Sequence, residues 1–395
     1  MVIKNAGVTC GKKTQGGKCM PDYGADAERG LIRLASQVKS FIRDKAGATP
    51  LSRLGLMTTL YFKRGHSAEM RLRLADCFSL FFEEHRSLLG WQHYKHQRPL
   101  SERLFARTCK QVVDGRADAL LHWSLSSKPA RALSSCKLVV HCPPERQSGN
   151  ELSCLHMALP VTLLSSIVAL KHYQRWMEYF ASQVRAEHGY SGLACLFPEG
   201  PGDHLSLEFR QALQYPGLIV DPHPHIDSLR VFKAIKGANW YTFLGTSFIN
   251  LLGGSDVLRA RFEGRHPVFC ASYQNGLILR AGALPELGGE GLPPPAYCEV
   301  NRVIKPVRLK ETGSLHPCSF PGQGFCPVST AQWYKRFDEK PGPMVLSGER
   351  CNRSGYWFST AMAGSRQRIE EGEIMPGFAH LAAERTQWFW DGEAL

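Results

Sequence analysis

Leu54-Gly55-Leu56-Met57-Thr58-Thr59-Leu60-Tyr61-Phe62 is the stretch on which the reading of the fold turns. It is dense in strand-forming residues and bounded by polar chain. A helix signal follows. Ser67 is placed to cap, and Leu72, Ala75, Phe78, Phe82, His85 and Leu89 recur at helical spacing until Gly90. A strand feeding a mostly buried helix is therefore the first unit of the fold.

Further units follow outward from it. Ala119 to Leu125 and Cys136 to His141 read as strands, joined by the turn Ser127-Lys128-Pro129-Ala130-Arg131. Pro160 and Thr162 open a long helix that passes through Leu170, Tyr173, Trp176 and Phe180 to about Glu187. Gly189 and Gly192 in His188-Gly189-Tyr190-Ser191-Gly192 are expected to close it. Leu193 to Phe197 is a short buried strand. Asn239 begins a second helix, on which Trp240, Phe243, Leu244, Phe248, Leu251 and Leu252 share one apolar face until Gly253 and Gly254. Val268 to Tyr273 and Leu277 to Arg280 form a hairpin over Asn275-Gly276. The fold class is α+β: a mostly antiparallel or mixed sheet packed by several long helices, with a small appended C-terminal subdomain.

Composition sets the outer limits. At 395 residues, 43% hydrophobic and 21% charged, the chain can bury a sizeable core, which excludes a wholly disordered or collagen-like protein. No stretch supplies the roughly 18 to 20 apolar residues of a membrane helix. The longest apolar-rich run, Leu155 to Leu170, is interrupted by Pro160, Thr162, Ser165 and Ser166. The first residues lack the shape of a signal peptide, so a cytoplasmic protein is expected. The 13 cysteines include no CxxC pair and read as free thiols in a reducing compartment.

Three regions differ in character. Residues 1–30 read as a flexible basic tail, 31–315 as the main α+β domain, and 316–395 as a subdomain rich in Trp and Pro. Residues 1–130 carry 22 Lys and Arg against 11 Asp and Glu, which accounts for most of the net charge of +13. A basic region of this kind attracts nucleic acid or an acidic partner, although a solvated basic face is the plainer reading. Arg71, Arg73, Lys95, Arg98, Arg103, Arg107 and Lys110, with Trp91 and Tyr94 interleaved, form the candidate footprint. No zinc-finger or RNP pattern accompanies it.

Catalytic motifs are missing. There is no GxSxG, HExxH, phosphate loop or dinucleotide fingerprint. Asp221-Pro222-His223-Pro224-His225-Ile226-Asp227 is the most ligand-like cluster. A metal-dependent hydrolase would use Asp221, His223, His225 and Asp227, but no further ligand stands at a recognisable spacing, and the other histidines are dispersed. The expectation is neither a metal nor another cofactor. The balance moves toward a protein that works by binding.

A resemblance points the same way. Ile235 to Gly245, Leu251-Leu252-Gly253-Gly254 and Leu258 resemble a family of bacterial type VI secretion immunity proteins, long catalogued as a domain of unknown function. Leu54 to Phe62, His188 to Leu193, Tyr215-Pro216-Gly217-Leu218, Ala281-Gly282, Pro285 and Leu287-Gly288 match it in order over residues 50–310. Cys351 to Phe358, Ser365-Arg366, Glu371 to Pro376 and Gln387-Trp388 resemble a second polymorphic-toxin immunity family. The resemblance implies an inhibitor without catalysis that binds a co-encoded antibacterial effector, often a nuclease, by occlusion. Trp240, Phe243, Leu244, Gly253 and Gly254 then read as scaffold. Asp221, His223, His225, Asp227, Trp357, Trp388 and Trp390 are the candidate partner-binding residues.

Overall fold

The computed structural model describes residues 25–38, 41, 43–44, 50–130, 132–198, 204–262, 267–289, 292–316, 324–338, 344–359, 365–378 and 386–392. Residues 1–24 of the expected basic tail lie outside them, and residues 25–30 belong to the first helix. The first half contains α1 (Ala25–Val38), β1 (Arg43–Asp44), β2 (Pro50–Phe62), α2 (Ala68–His85), β3 (Trp91–Tyr94), β4 (His96–Pro99), α3 (Glu102–Val113), β5 (Leu121–Ser126), β6 (Lys137–Cys142), β7 (Ser153–Pro160), α4 (Ile167–Gln183) and β8 (His188–Leu196). Then come α5 (His204–Gln214), β9 (Tyr241–Gly245), α6 (Thr246–Leu251), α7 (Ser255–Phe262), β10 (Val268–Tyr273), β11 (Gly276–Ala281), α8 (Pro295–Ile304) and α9 (Pro327–Tyr334). A smaller sheet is made of β12 (Met344–Leu346), β13 (Gly355–Phe358), β14 (Gln367–Ile369) and β15 (Gln387–Gly392).

The large sheet has the order β10-β11-β9-β8-β2-β7-β6-β5-β3-β4, with β1 paired to the start of β2. Its neighbours pair antiparallel throughout. The fold is therefore α+β, as the sequence predicts. β2 lies near the middle, between β7 and β8, and is buried on both faces. Successive strand residues point to opposite faces. Leu54, Leu56, Leu60 and Phe62 enter the main core, whereas Met57 and Tyr61 enter a second cluster with Leu152, Ile219 and Val231.

Helices build the main-core side. The Ser67 side chain caps α2 by accepting from the Met70 amide at 3.3 Å. Phe78 of α2 stacks on Trp123 of β5 with ring centroids 3.7 Å apart, and Phe82 stacks on Phe105 of α3. The Thr58 hydroxyl bonds Tyr173 of α4 and Ser191 of β8. One residue of the expected helical face, Leu72, is exposed, and Leu74 and Phe81 are buried instead.

Two local expectations are corrected. Residues 239–252 are not one helix: β9 ends at Gly245 and α6 begins at Thr246. β9 is flanked by β8 and β11 and buried on both faces, so its apolar residues are contiguous and carry no period that separates strand from helix. Leu251, expected on the apolar face, is 70% exposed. Gly253 and Gly254, at φ +100° and +98°, follow α6. Likewise, His188 to Gly192 is the start of β8 and not a helix terminus; α4 ends earlier, at Gln183. Gly189 is required there by close approach, because a Cβ would lie 2.4 Å from the Thr59 carbonyl oxygen.

The C-terminal region contributes to two hydrophobic clusters. Trp333 and Tyr334 of α9 pack with Phe209, Val220 and Phe325, and Arg336 donates to the Pro216 carbonyl at 2.8 Å. Val345, Cys351, Trp357, Ile369, Met375 and Trp388 form a separate core within the small sheet.

Trp240 is fully buried, so Trp240→Ala should cost about 3 to 5 kcal/mol. Leu251→Ser, on an exposed side chain, should stay within about 0.5 kcal/mol. Urea denaturation of both variants checks the pair, and equal losses would restore the single-helix reading.

Candidate functional site

The face of the large sheet opposite α2 and α4 is covered unevenly. Residues around Ile219 and Val231 pack over β2 and β8. Beyond them, over β3, β5 and β6, lies a groove of about 300 Å³. Trp123 and Leu125 of β5 turn into the helical core, which leaves His122, Ser124 and Ser126 for the groove. Val139, Lys137 and His141 of β6 join them by the same alternation.

Strand register then gathers imidazoles that are far apart in sequence. His122 of β5 stands directly across from His141 of β6. Ring centroids are 5.2 Å apart for His93 and His122, 6.0 Å for His122 and His141, and 5.0 Å for His141 and His225. His223 is 6.2 Å from His225, and His156 of β7 completes the set. Sequence reasoning singled out only His223 and His225. The missed signal was their strand phase: His122 and His141 each alternate with core residues.

The loop at 221–227 is held over this face by buried contacts. Tyr61 donates its hydroxyl to the Pro224 carbonyl at 2.9 Å. Lys236 places its ammonium 2.6 Å from Asp221 and 2.7 Å from Asp227. Burial works against the charged lysine, but Asp221, then Tyr61 and Asp227 among others, outweigh it and hold the Lys236 pKa well above its ordinary value. Asp221 and Asp227 are thus buried. His223 and His225 face outward. The four residues do not converge as a ligand set, and no group of three or more His, Cys, Asp or Glu suited to a metal occurs among the described residues.

Three of the groove's imidazoles are shifted away from the charged form. Burial, then His225 and His122, lowers the His141 pKa to about 4. Burial, with Lys137 next, holds His156 well below the ordinary histidine value, and burial with His223 lowers His225. Neutral imidazoles each offer one N–H and one acceptor nitrogen. Cys154 also lines the groove, but burial pushes its thiol up, so it is no thiolate nucleophile at neutral pH.

The tail tryptophans differ in exposure. Trp357 and Trp388 are fully buried and donate their indole N–H to the carbonyls of Arg353 and Pro376. They pack the small sheet. Trp390 is half-buried beneath the Arg353 guanidinium. Trp240, Phe243 and Leu244 are buried in the main core. In the basic third, Arg71 is consumed internally, donating to the carbonyls of His66, Arg116 and Ala119.

Comparison with known proteins is informative against this geometry. The model of the family TsiV, described as type VI immunity for VRR-NUC, matches residues 73–337. The chain belongs to that family. The TsiV match runs from α2 to just beyond α9 and so includes the groove and the loop. A solved structure, Pseudomonas aeruginosa T6SS protein PA0821, superposes with a TM-score of 0.68 at 25% identity, covering 78% of this chain and 91% of that one. No curated protein matches. No helix among the described residues is long and apolar enough to cross a membrane.

Lys236→Ala leaves two buried carboxylates without their cation and should cost about 3 to 5 kcal/mol, read by urea denaturation. Lys236→Met combined with Asp221→Asn and Asp227→Asn should cost less. Equal losses would show that the ion pairs do not hold the loop. For His141, the folded pKa of about 4 lies below the unfolded value near 6.5. The unfolded chain then binds more protons between these values, so this group's stabilisation falls as pH drops through that window. His141→Gln should therefore flatten the acid loss of thermal midpoint between pH 6.5 and 4, and an unchanged slope would contradict the burial of its neutral form.

Proposed function

We propose that this type VI immunity protein binds a co-encoded VRR-NUC effector and neutralises it by covering its active or substrate-binding site, without chemistry of its own. The observation that carries the reading is the family match across residues 73–337, which includes strands β3 to β11 of the large sheet, the groove and the 221–227 loop. The groove supports it as well. His141, His156 and His225 are shifted away from the charged form, the Cys154 thiol is pushed up by burial, and the two loop carboxylates are engaged by Lys236. Those are properties of a recognition surface and not of an acid–base pair tuned near neutrality. The cytoplasm, where a toxin that attacks the cell interior must be met, is the compartment this role requires. The resemblance of residues 351–388 to a second immunity family belongs to the same reading.

An inhibitor of this kind needs nanomolar or tighter affinity, about −12 kcal/mol. Co-expression with the neighbouring effector should restore growth, and the two chains should co-purify in about equimolar amounts. Continued toxicity with no complex would defeat the reading. Protection without a complex would point instead to enzymatic reversal of the damage.

A further inference from the structure

We propose that the histidine-lined groove between β3 and the 221–227 loop is the docking site for an acidic segment of the effector, with the exposed turn after it supplying the apolar anchors. The inference rests on the immunity reading and names its surface.

Three observations carry it. First, the groove is one-sided in charge. Lys128 and Lys137 line it with the six imidazoles, and among its described lining residues there is no Asp or Glu. The carboxylates whose fields reach His225 are Asp227 and Glu151; Asp227 bonds Lys236 and Arg230, and Glu151 accepts from the Ser228 hydroxyl. Second, the floor offers hydrogen-bonding groups where an open sheet face would otherwise expose apolar ones. His93, His122, Ser124, Ser126 and His141 line it. A carboxylate accepts from N–H donors, and such charge-assisted bonds are the stronger kind. Third, the turn that roofs the groove continues into Ile226 and Leu229, which are 56% and 55% exposed. Large exposed apolar side chains beside a polar cleft have the arrangement of interface anchors.

The occupant is a peptide segment and not a nucleic acid. A phosphate backbone is held chiefly by permanent positive charges. Here lysines supply two, and His141, His156 and His225 are lowered away from the charged form. A volume of about 300 Å³ accepts a few side chains, and neutral imidazoles suit individual carboxylates.

The test measures binding of the purified effector to the full chain by titration calorimetry. Lys137→Glu combined with His223→Glu introduces like charge into the groove and should weaken binding at least about 100-fold. Ile226→Ser with Leu229→Ser, on exposed side chains that the fold does not need, should weaken it about 10-fold or more. Arg107→Glu with Lys110→Glu, on the exposed side of α3, should change it less than about 3-fold. Thermal midpoints within a few degrees of the parent confirm folding, and if the groove charge variant fails this check, Ser126→Glu takes its place. Parent-like affinity in the groove variants overturns the inference and leaves the immunity reading standing. Failure of the parent chain to bind the effector overturns both. Salt-sensitive retention of a DNA duplex that the groove variants abolish, without loss of effector binding, would assign the groove to nucleic acid and overturn the inference.

Discussion

The Lys236 ammonium, buried between Asp221 and Asp227, is the contact on which the arrangement of the outer face depends. A buried lysine is costly unless it is paired, and two carboxylates at hydrogen-bond distance meet that need. The consequence is positional. Asp221 and Asp227 bracket the segment that carries His223 and His225, so pinning both ends on one cation fixes the loop between them. Tyr61 adds a third point by donating to Pro224. The ion pairs face inward, and the imidazoles are left facing out over β6.

This also explains why one sheet has two unlike faces. β2 is long enough to divide its side chains between two cores, and Thr58 and Thr59, adjacent in sequence, show the division. Thr58 bonds Tyr173 and Ser191 on the helical side, whereas Thr59 lies 3.0 Å from His156 Nδ1 on the other. An antiparallel sheet can leave one face partly uncovered, which a fully helix-wrapped parallel sheet cannot. Cover over β2 and β8 without cover over β5 and β6 leaves a polar cleft with a rigid floor. Residues on strands are held more firmly than residues on loops, which suits a surface that must recognise one partner.

Much of the fold was legible in the sequence where periodicity and punctuation agreed. Ser67 before a helical face, Asn275-Gly276 between two strand runs, and the strand run from Ala119 to Leu125 each have a local cause. The reading failed where burial on both faces erased the period. Trp240 to Leu244 and His188 to Gly192 are interior strand residues, and a strand with no wet face looks like a buried helix segment. The groove was illegible for another reason. His122 and His141 meet only through the register of β5 with β6, and no spacing along the chain encodes a cross-strand neighbour. The loop at 221–227 was visible as a cluster, but the partner that reverses its carboxylates, Lys236, lies outside it.

The charge of the chain is resolved by where its cations go. A net charge of +13 is ill-suited to an inhibitor only if the whole surface shares it. Several of those cations are structural. Arg71 ties α2 to the chain after α3 through backbone carbonyls, Arg336 lies over Trp333 and Phe337, and Lys236 is enclosed. Burial lowers the Arg336 pKa to about 9. Others are offset at the surface, as Arg73 and Arg185 are by Glu69 and Arg86 is by Glu102. Net charge then reports on composition more than on the field a partner meets. In the groove the field follows from a local fact, the lack of lining carboxylates among the described residues beside two lysines. Complementarity is decided at that scale, because a Debye length of about 8 Å at physiological salt screens the more distant exposed charges.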